Sequence, residues 1–176
     1  TEDGIVAFVT NGSFIDKNAM SGFRKTLLDE FSSVYCFNLR GFIRGKSGLD
    51  VKKEGQNVFN IMTGVCITIL VKKKGHSGPG RLFYHDIGDY LSREEKFSII
   101  REFKNIDAIP WKELMPDEHG DWICHRDPGF NNFIALGDKK NKGKEESKTI
   151  FSLFSLGVAT NRDASVSYTH LRAHET

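Results

Sequence analysis

Basic residues gathered on one glycine-rich stretch offer the clearest chemistry in this sequence. Arg40, Arg44, Lys46, Lys52 and Lys53 fall within RGFIRGKSGLDVKKEGQ and are opposed there only by Asp50 and Glu54. A glycine-rich backbone carrying cations at that density can follow a phosphate chain, and each phosphate it neutralises releases a counterion. On charge alone, a solvated loop without a partner fits the stretch equally well. The second candidate is the turn Thr10-Asn11-Gly12-Ser13, directly after the apolar run Ile5-Val6-Ala7-Phe8-Val9. Ligands of parallel α/β sheets bind beyond the carboxyl ends of the strands. There Gly12 lets backbone approach closely, and Asn11 and Ser13 supply hydrogen bonds; a plain polar turn leading into a helix is the simpler alternative.

Other groupings carry less. Gly78-Pro79-Gly80 follows a lysine run and opens no helix, so it does not read as a cofactor loop, and no Walker loop is present. His119, Cys124 and His125, in EHGDWICH, match no usual zinc spacing and lack a fourth ligand, so no metal is expected. Serine, histidine and aspartate are available for a triad, but no Gly-x-Ser-x-Gly elbow activates a serine.

The elements that must position these residues follow from periodicity. Ile5–Val9 is continuously apolar, where a half-exposed strand would alternate, so it reads as a strand covered on both faces. Asp16 or Asn18 can cap a helix running to about Phe31, with Met20, Phe23, Leu27, Leu28 and Phe31 on one apolar stripe. Ser32 to Leu39 returns to strand character and completes a β-α-β unit. The basic connection shows no helical pattern, so the buried strand Thr63 to Val71 can return antiparallel beside its predecessor. RLFYHDI reads as a short strand. Ser92 with Glu95 forms a capping box that opens a helix whose apolar face is Phe97, Ile100, Phe103 and Ile106. From Pro110 the pattern becomes irregular, and Gly137 to Lys148 reads as a charged loop.

With 39% hydrophobic and 27% charged residues over 176 positions, the chain suits one ordinary domain with a core and not a disordered segment. Its apolar runs fall short of the roughly 18 to 20 residues of a membrane span, and a cytoplasmic setting is expected. Cys36, Cys66 and Cys124 are odd in number and widely spaced, which suits reduced thiols better than a disulfide framework. A net charge of +2 is too small to argue for nucleic acid without local clustering. Both ends read as cut. A central-type strand begins within four residues of Thr1, and SVSYTHLRAHET, from Ser165, resembles translated sequencing-adapter DNA, so residues 165–176 are expected to be non-native and His170 and His174 carry no functional weight.

VAFVTNGSFID, FRKTLLDEF, the Arg-bearing loop, ITILVKK, YHDIGDYLSREEK, HGDW, RDPGFNNFIALGDKK and FSLGVATNRDA occur in that order. Together they resemble the adenine-specific DNA methyltransferase region of the single-polypeptide type ISP restriction-modification enzymes. In that family a nuclease and helicase precede an N6-adenine methyltransferase, and a target-recognition domain comes last. The resemblance implies an α/β fold: the C-terminal half of a Rossmann-like methyltransferase sheet, ending in an antiparallel strand pair, plus an irregular α+β extension. It implies residues 1–75 as the second half of the methyltransferase domain and 76–164 as the connector toward target recognition. S-adenosylmethionine is the implied cofactor of the parent protein, double-stranded DNA its partner, and a prokaryotic cytoplasm its location.

The family's catalytic Pro-Pro-aromatic motif, which takes up a flipped adenine, has no counterpart, because Pro79, Pro110, Pro116 and Pro128 are never adjacent. No catalytic residue is therefore expected in this chain, and alone it is expected to be inactive. Thr10, Asn11, Gly12 and Ser13 are implied to lie near the flipped base, and Arg40, Arg44, Lys46, Lys52 and Lys53 near the DNA backbone. The family loop reads Gly-Asn-x-Arg-Thr-Ser-Gly-Glu; here Arg44, Ser47 and Gly48 match while the Thr and Glu do not. After Asn161-Arg162-Asp163-Ala164 the family continues with Trp, which marks Ser165 as the junction. The alternative to a methyltransferase segment is a non-catalytic α/β module that binds DNA or a protein.

Overall fold

The computed structural model describes residues 3–123, 127, 129, 132–138, 140 and 148–153. Strands β1 (Gly4–Asn11), β2 (Ser33–Arg40), β3 (Val65–Lys72), β4 (Arg81–Asp86) and β5 (Lys112–Leu114) form one mixed sheet in the order β1-β3-β2-β4-β5. Among the described residues three α-helices accompany it: α1 (Ser21–Glu30), α2 (Leu49–Glu54) and α3 (Arg93–Phe103). None of the described helices is long and apolar enough to cross a membrane.

β3 runs antiparallel to both β1 and β2, so β1 and β2 are parallel strands separated by a reversed one. The expected antiparallel return of β3 beside β2 is present, and β3 also completes the pairing of β1. β4 adds parallel to β2 and β5 antiparallel to β4. The fold is thus mixed α/β.

Strand alternation sorts the core into two layers. Val34, Cys36, Cys66, Leu70 and Leu82 face Leu27 and Leu28 of α1, together with Phe14, Ile15 and Trp122. Phe37, Leu39 and Val65 face the other way, onto Ile99, Ile100 and Phe103 of α3 and onto Trp111. Tyr35 stacks on Phe83 with ring centroids 4.6 Å apart and meets the edge of Trp111 at 5.2 Å. Cys36 and Cys66 are buried free thiols.

Several sequence expectations need correction. β1 has no cover on either face among the described residues: all eight of its residues are exposed, with Ile5 at 70%, and its one strand neighbour there is β3. A continuous apolar run records what a strand is suited to pack against, while burial also requires the neighbour. Double-sided cover is instead found on β2 and β3. The first helix is not capped by Asp16 or Asn18; short 3-10 turns at Gly12–Phe14 and Asn18–Met20 precede α1, which starts at Ser21 without a side-chain cap. Of its expected stripe, Leu27 and Leu28 are buried while Met20 and Phe23 stay largely exposed. The position turned most fully inward is Arg24, because buried acceptors await its guanidinium. The basic connection does contain a helix, α2, too short for a periodicity reading to detect. The Ser92–Glu95 capping box forms as expected: the Ser92 hydroxyl accepts from the Glu95 amide, and the Glu95 carboxylate accepts from the Ser92 amide at 2.7 Å. That bond holds the Glu95 carboxyl below its usual range.

The chain divides into two compact units, Thr1–Arg126 and Asp127–Thr176. In the second, Ala135 and Thr149 form an isolated bridge, and the Ile150 amide donates to the Ala135 carbonyl at 3.0 Å. Cys124, His125, most of the charged loop and everything from Phe154 onward, including Asn161–Ala164 and the Ser165–Thr176 tail, lie outside the described residues. Among the described residues no group of His, Cys, Asp and Glu is placed to hold a metal ion.

Candidate functional site

Asn11 ends β1, Arg40 ends β2, and both pair with Val65 at the start of β3. The two sequence candidates, far apart in the chain, are thereby brought to one end of the sheet. The Gly12 amide donates to the Gly64 carbonyl at 2.9 Å and closes the junction. A hollow of about 70 Å³ lies there, lined by Gly12, Ser13, Lys17, Arg40, Phe42 and Lys46 among others. Ligand pockets run roughly 300 to 1,000 Å³. This hollow therefore suits a small polar group and not a cofactor.

Asn38 and Arg40, which also line the hollow, belong to a network at the carboxyl ends of β2 and β4. Arg40 Nε meets Asp86 Oδ1 at 2.6 Å, and its Nη1 meets Asp89 Oδ1 at 2.6 Å. Burial works against the Arg40 charge, but the two carboxylates outweigh it and raise its pKa. Asn38 Nδ2 donates to the Tyr84 hydroxyl at 3.0 Å and to Asp86 Oδ2 at 3.3 Å, while the Tyr84 hydroxyl donates to Asp86 Oδ2 at 2.9 Å. Burial, opposed in part by Asn38 and reinforced by Asp86, pushes the Tyr84 phenol above its usual range.

The basic loop is fastened by a carboxylate. Glu54 Oε2 accepts from the amides of Gly41 and Phe42 at 3.0 and 3.1 Å, and its Oε1 pairs with Lys46 Nζ at 2.6 Å. Lys96, fully buried on α3, donates to the carbonyls of Leu39 and Glu54 at 2.8 and 3.1 Å and so ties both ends of the loop to one ammonium. Burial lowers the Lys96 pKa, with Glu54 opposing. Gly41 has φ +86°, and a Cβ there would sit 2.8 Å from Asn57 Nδ2, so the position requires glycine. Lys17 and Lys46 stand over the Phe42 ring at 5.0 and 5.3 Å from its centroid, which gathers two cations at the mouth of the hollow.

The sequence candidates thus have different situations. Gly12 and Ser13 line the hollow; Thr10 is exposed on β1; Asn11 Oδ1 is engaged by the Ser13 amide at 2.8 Å. Arg40 and Lys46 line the hollow with charges committed to acidic partners. Lys53 is exposed, with Asp89 at 4.0 Å. Arg44 and Lys52 are exposed cations with no acidic partner among the described residues. Sequence reasoning missed Lys17, whose one signal was its place just after the candidate turn. It also missed the fastening role of Glu54, which in the sequence looks like a mere opposing charge.

Glu54→Gln is expected to release this loop. The substitution keeps one oxygen for both amides but removes the negative charge, so these bonds lose their charge assistance, worth roughly a factor of two, and Lys46 loses its partner. Hydrogen exchange at the Gly41 and Phe42 amides should accelerate by about tenfold or more, while β2 and β3 amides hold. Unchanged exchange at both amides would contradict the fastening role.

No family model and no curated relative matches the chain. Solved structures do. The ATP-dependent type ISP restriction-modification enzyme LlaBIII bound to DNA matches with a TM-score of 0.83 and 40% identity over 93% of this chain and 11% of that one. A nuclease-deletion mutant of the type ISP enzyme LlaGI, in complex with a DNA substrate mimic, matches with a TM-score of 0.78 and 41% identity over 93% of this chain and 15% of that one. A DrdV–DNA complex matches with a TM-score of 0.77 and 34% identity over 92% and 16%. The chain therefore spans 11 to 16% of the length of these three proteins. The resemblance carried by the motifs is borne out: over 93% of its length the chain corresponds, in sequence and in fold, to one segment of the type ISP restriction-modification enzymes.

Proposed function

We propose that this chain is the closing part of a site-specific adenine-N6 DNA methyltransferase domain in a restriction-modification polypeptide, and that its role there is to hold DNA. Residues 1–75 supply the second half of a Rossmann-like sheet, and residues 76–164 lead toward target recognition. The nuclease, the helicase and the target-recognition domain belong to the same polypeptide. In that parent, S-adenosylmethionine supplies the methyl group. The hollow where the turn and the basic loop meet is too small to hold that cofactor. Their work is positional: the Thr10–Ser13 turn beside the target base, and Arg44, Lys46, Lys52 and Lys53 along the backbone.

The observation that carries this reading is the meeting of the polar turn and the basic loop at the carboxyl ends of β1 and β2. In the neighbours, 34 to 41% identical, the matching segment sits within proteins in complex with DNA or a DNA substrate mimic. The test is product analysis. The full-length enzyme, given methyl-labelled S-adenosylmethionine and duplex DNA, should place the label on adenine N6. Label on cytosine, or none with a chain that binds DNA, would sink the methyltransferase assignment.

A further inference from the structure

Beside the basic loop lies an apolar projection that its charges do not explain. Phe59, Ile61 and Met62 are 58%, 47% and 52% exposed on the turn that leads into β3. Scattered apolar residues on a surface are ordinary, but three within four positions of a loop are a patch.

The turn is held in shape. Asn57, buried to 8% exposure, donates from Nδ2 to the Gly41 and Thr63 carbonyls at 3.2 and 2.7 Å, and its Oδ1 accepts from the Phe59 amide at 2.9 Å. Arg93, at the start of α3, donates from its amide to Gln56 Oε1 at 3.0 Å and from Nη2 to Asn60 Oδ1 at 2.8 Å. The Met62 carbonyl accepts from the amides of Ile43 and Arg44 at 3.1 and 3.2 Å, so the apolar turn is bonded directly to the cationic loop. A buried asparagine and an arginine clamp therefore present apolar side chains outward in a fixed direction.

We propose that this turn is a wedge, and that Phe59, Ile61 and Met62 insert at a base step of double-stranded DNA while Arg44, Lys46 and Lys52 hold the flanking phosphates. Charge selects the occupant. Apolar side chains on a turn bonded to the Arg44 amide and to the Arg93 guanidinium fit a polyanion with an apolar interior, and wedges of Phe, Ile and Met between base steps unstack and kink a duplex. A rigid turn loses little entropy on insertion, which favours this use over a flexible one. The proposal rests on the DNA-holding role argued above.

The test uses the full-length enzyme and duplexes with 2-aminopurine placed in turn at each position of the site and its flanks. Wild-type binding should raise fluorescence at one step distinct from the target adenine. The double variant Phe59→Ser, Met62→Ser should abolish that signal and weaken binding about tenfold, with the salt dependence of binding unchanged. Phe59→Leu should retain the signal, which separates wedge loss from misfolding. Bound DNA whose fluorescence is unchanged by the double variant would overturn the wedge. So would a Phe59→Cys thiol that a maleimide cannot reach in the DNA-free enzyme, since the patch would then be covered by another part of the protein. Failure of the DNA-holding role itself reads differently: the salt dependence would be indifferent to Arg44 and Lys46.

Discussion

Arg24→Met is expected to destabilise the first compact unit by about 3 to 5 kcal/mol, the range for removing one member of a buried ion pair. Arg24 is fully buried on α1. Its Nε donates to the Gly120 carbonyl at 2.7 Å, its Nη1 to the carbonyls of Phe14 and Lys17 at 2.9 and 2.8 Å, and its Nη2 pairs with Asp121. One side chain thus joins the turn after β1, helix α1 and the segment that carries Trp122. Methionine fills similar space without donors, so the loss reports bonding and not packing. Denaturant unfolding should show a lower midpoint. A change below about 0.5 kcal/mol, the scale of an ordinary surface substitution, would mean that the acceptors find other donors. The same change should disturb the site, because the Lys17 carbonyl held by Arg24 belongs to the residue whose ammonium stands over Phe42.

Reversing Arg44 and Lys46 together, each to glutamate, is expected to weaken DNA binding by the full-length enzyme about 100-fold at low salt. Each phosphate contact contributes about 0.9 to the slope of log affinity against log salt, so losing two flattens it by about two. The two positions are not equivalent. Arg44 is exposed without an acidic partner among the described residues, whereas Lys46 already pairs with Glu54 and must give up part of that bond to meet a phosphate. The Arg44 reversal alone should therefore take the larger share. Equal affinity across a salt series would contradict the role given to this loop.

Much of this arrangement was legible in local pattern. The strands at Val65–Lys72 and Arg81–Asp86 follow from their apolar runs, and the Ser92–Glu95 box fixes the start of α3. The insertion of β3 between β1 and β2 was only half legible. An antiparallel return beside β2 is a local inference, but pairing with β1 joins residues at opposite ends of a long connection. The buried charges were hidden for a different reason. Arg24 and Lys96 occupy inward positions of amphipathic helices, where a cation reads as solvent-facing unless its acceptors are known. Those acceptors are carbonyls of Phe14, Lys17, Leu39 and Glu54, which only the folded backbone brings near. The same holds for Glu54, whose two backbone amides come within reach only when the loop folds back.

The central claim is that the polar turn and the basic loop form one surface that meets DNA. Hydrogen exchange of the full-length enzyme, with and without its duplex, tests it most directly. Residues 10–13 and 40–53 should gain protection together on DNA binding, with the β2 and β3 core unchanged. Protection confined to other parts of the polypeptide, with both segments exchanging as in the free enzyme, would contradict the account.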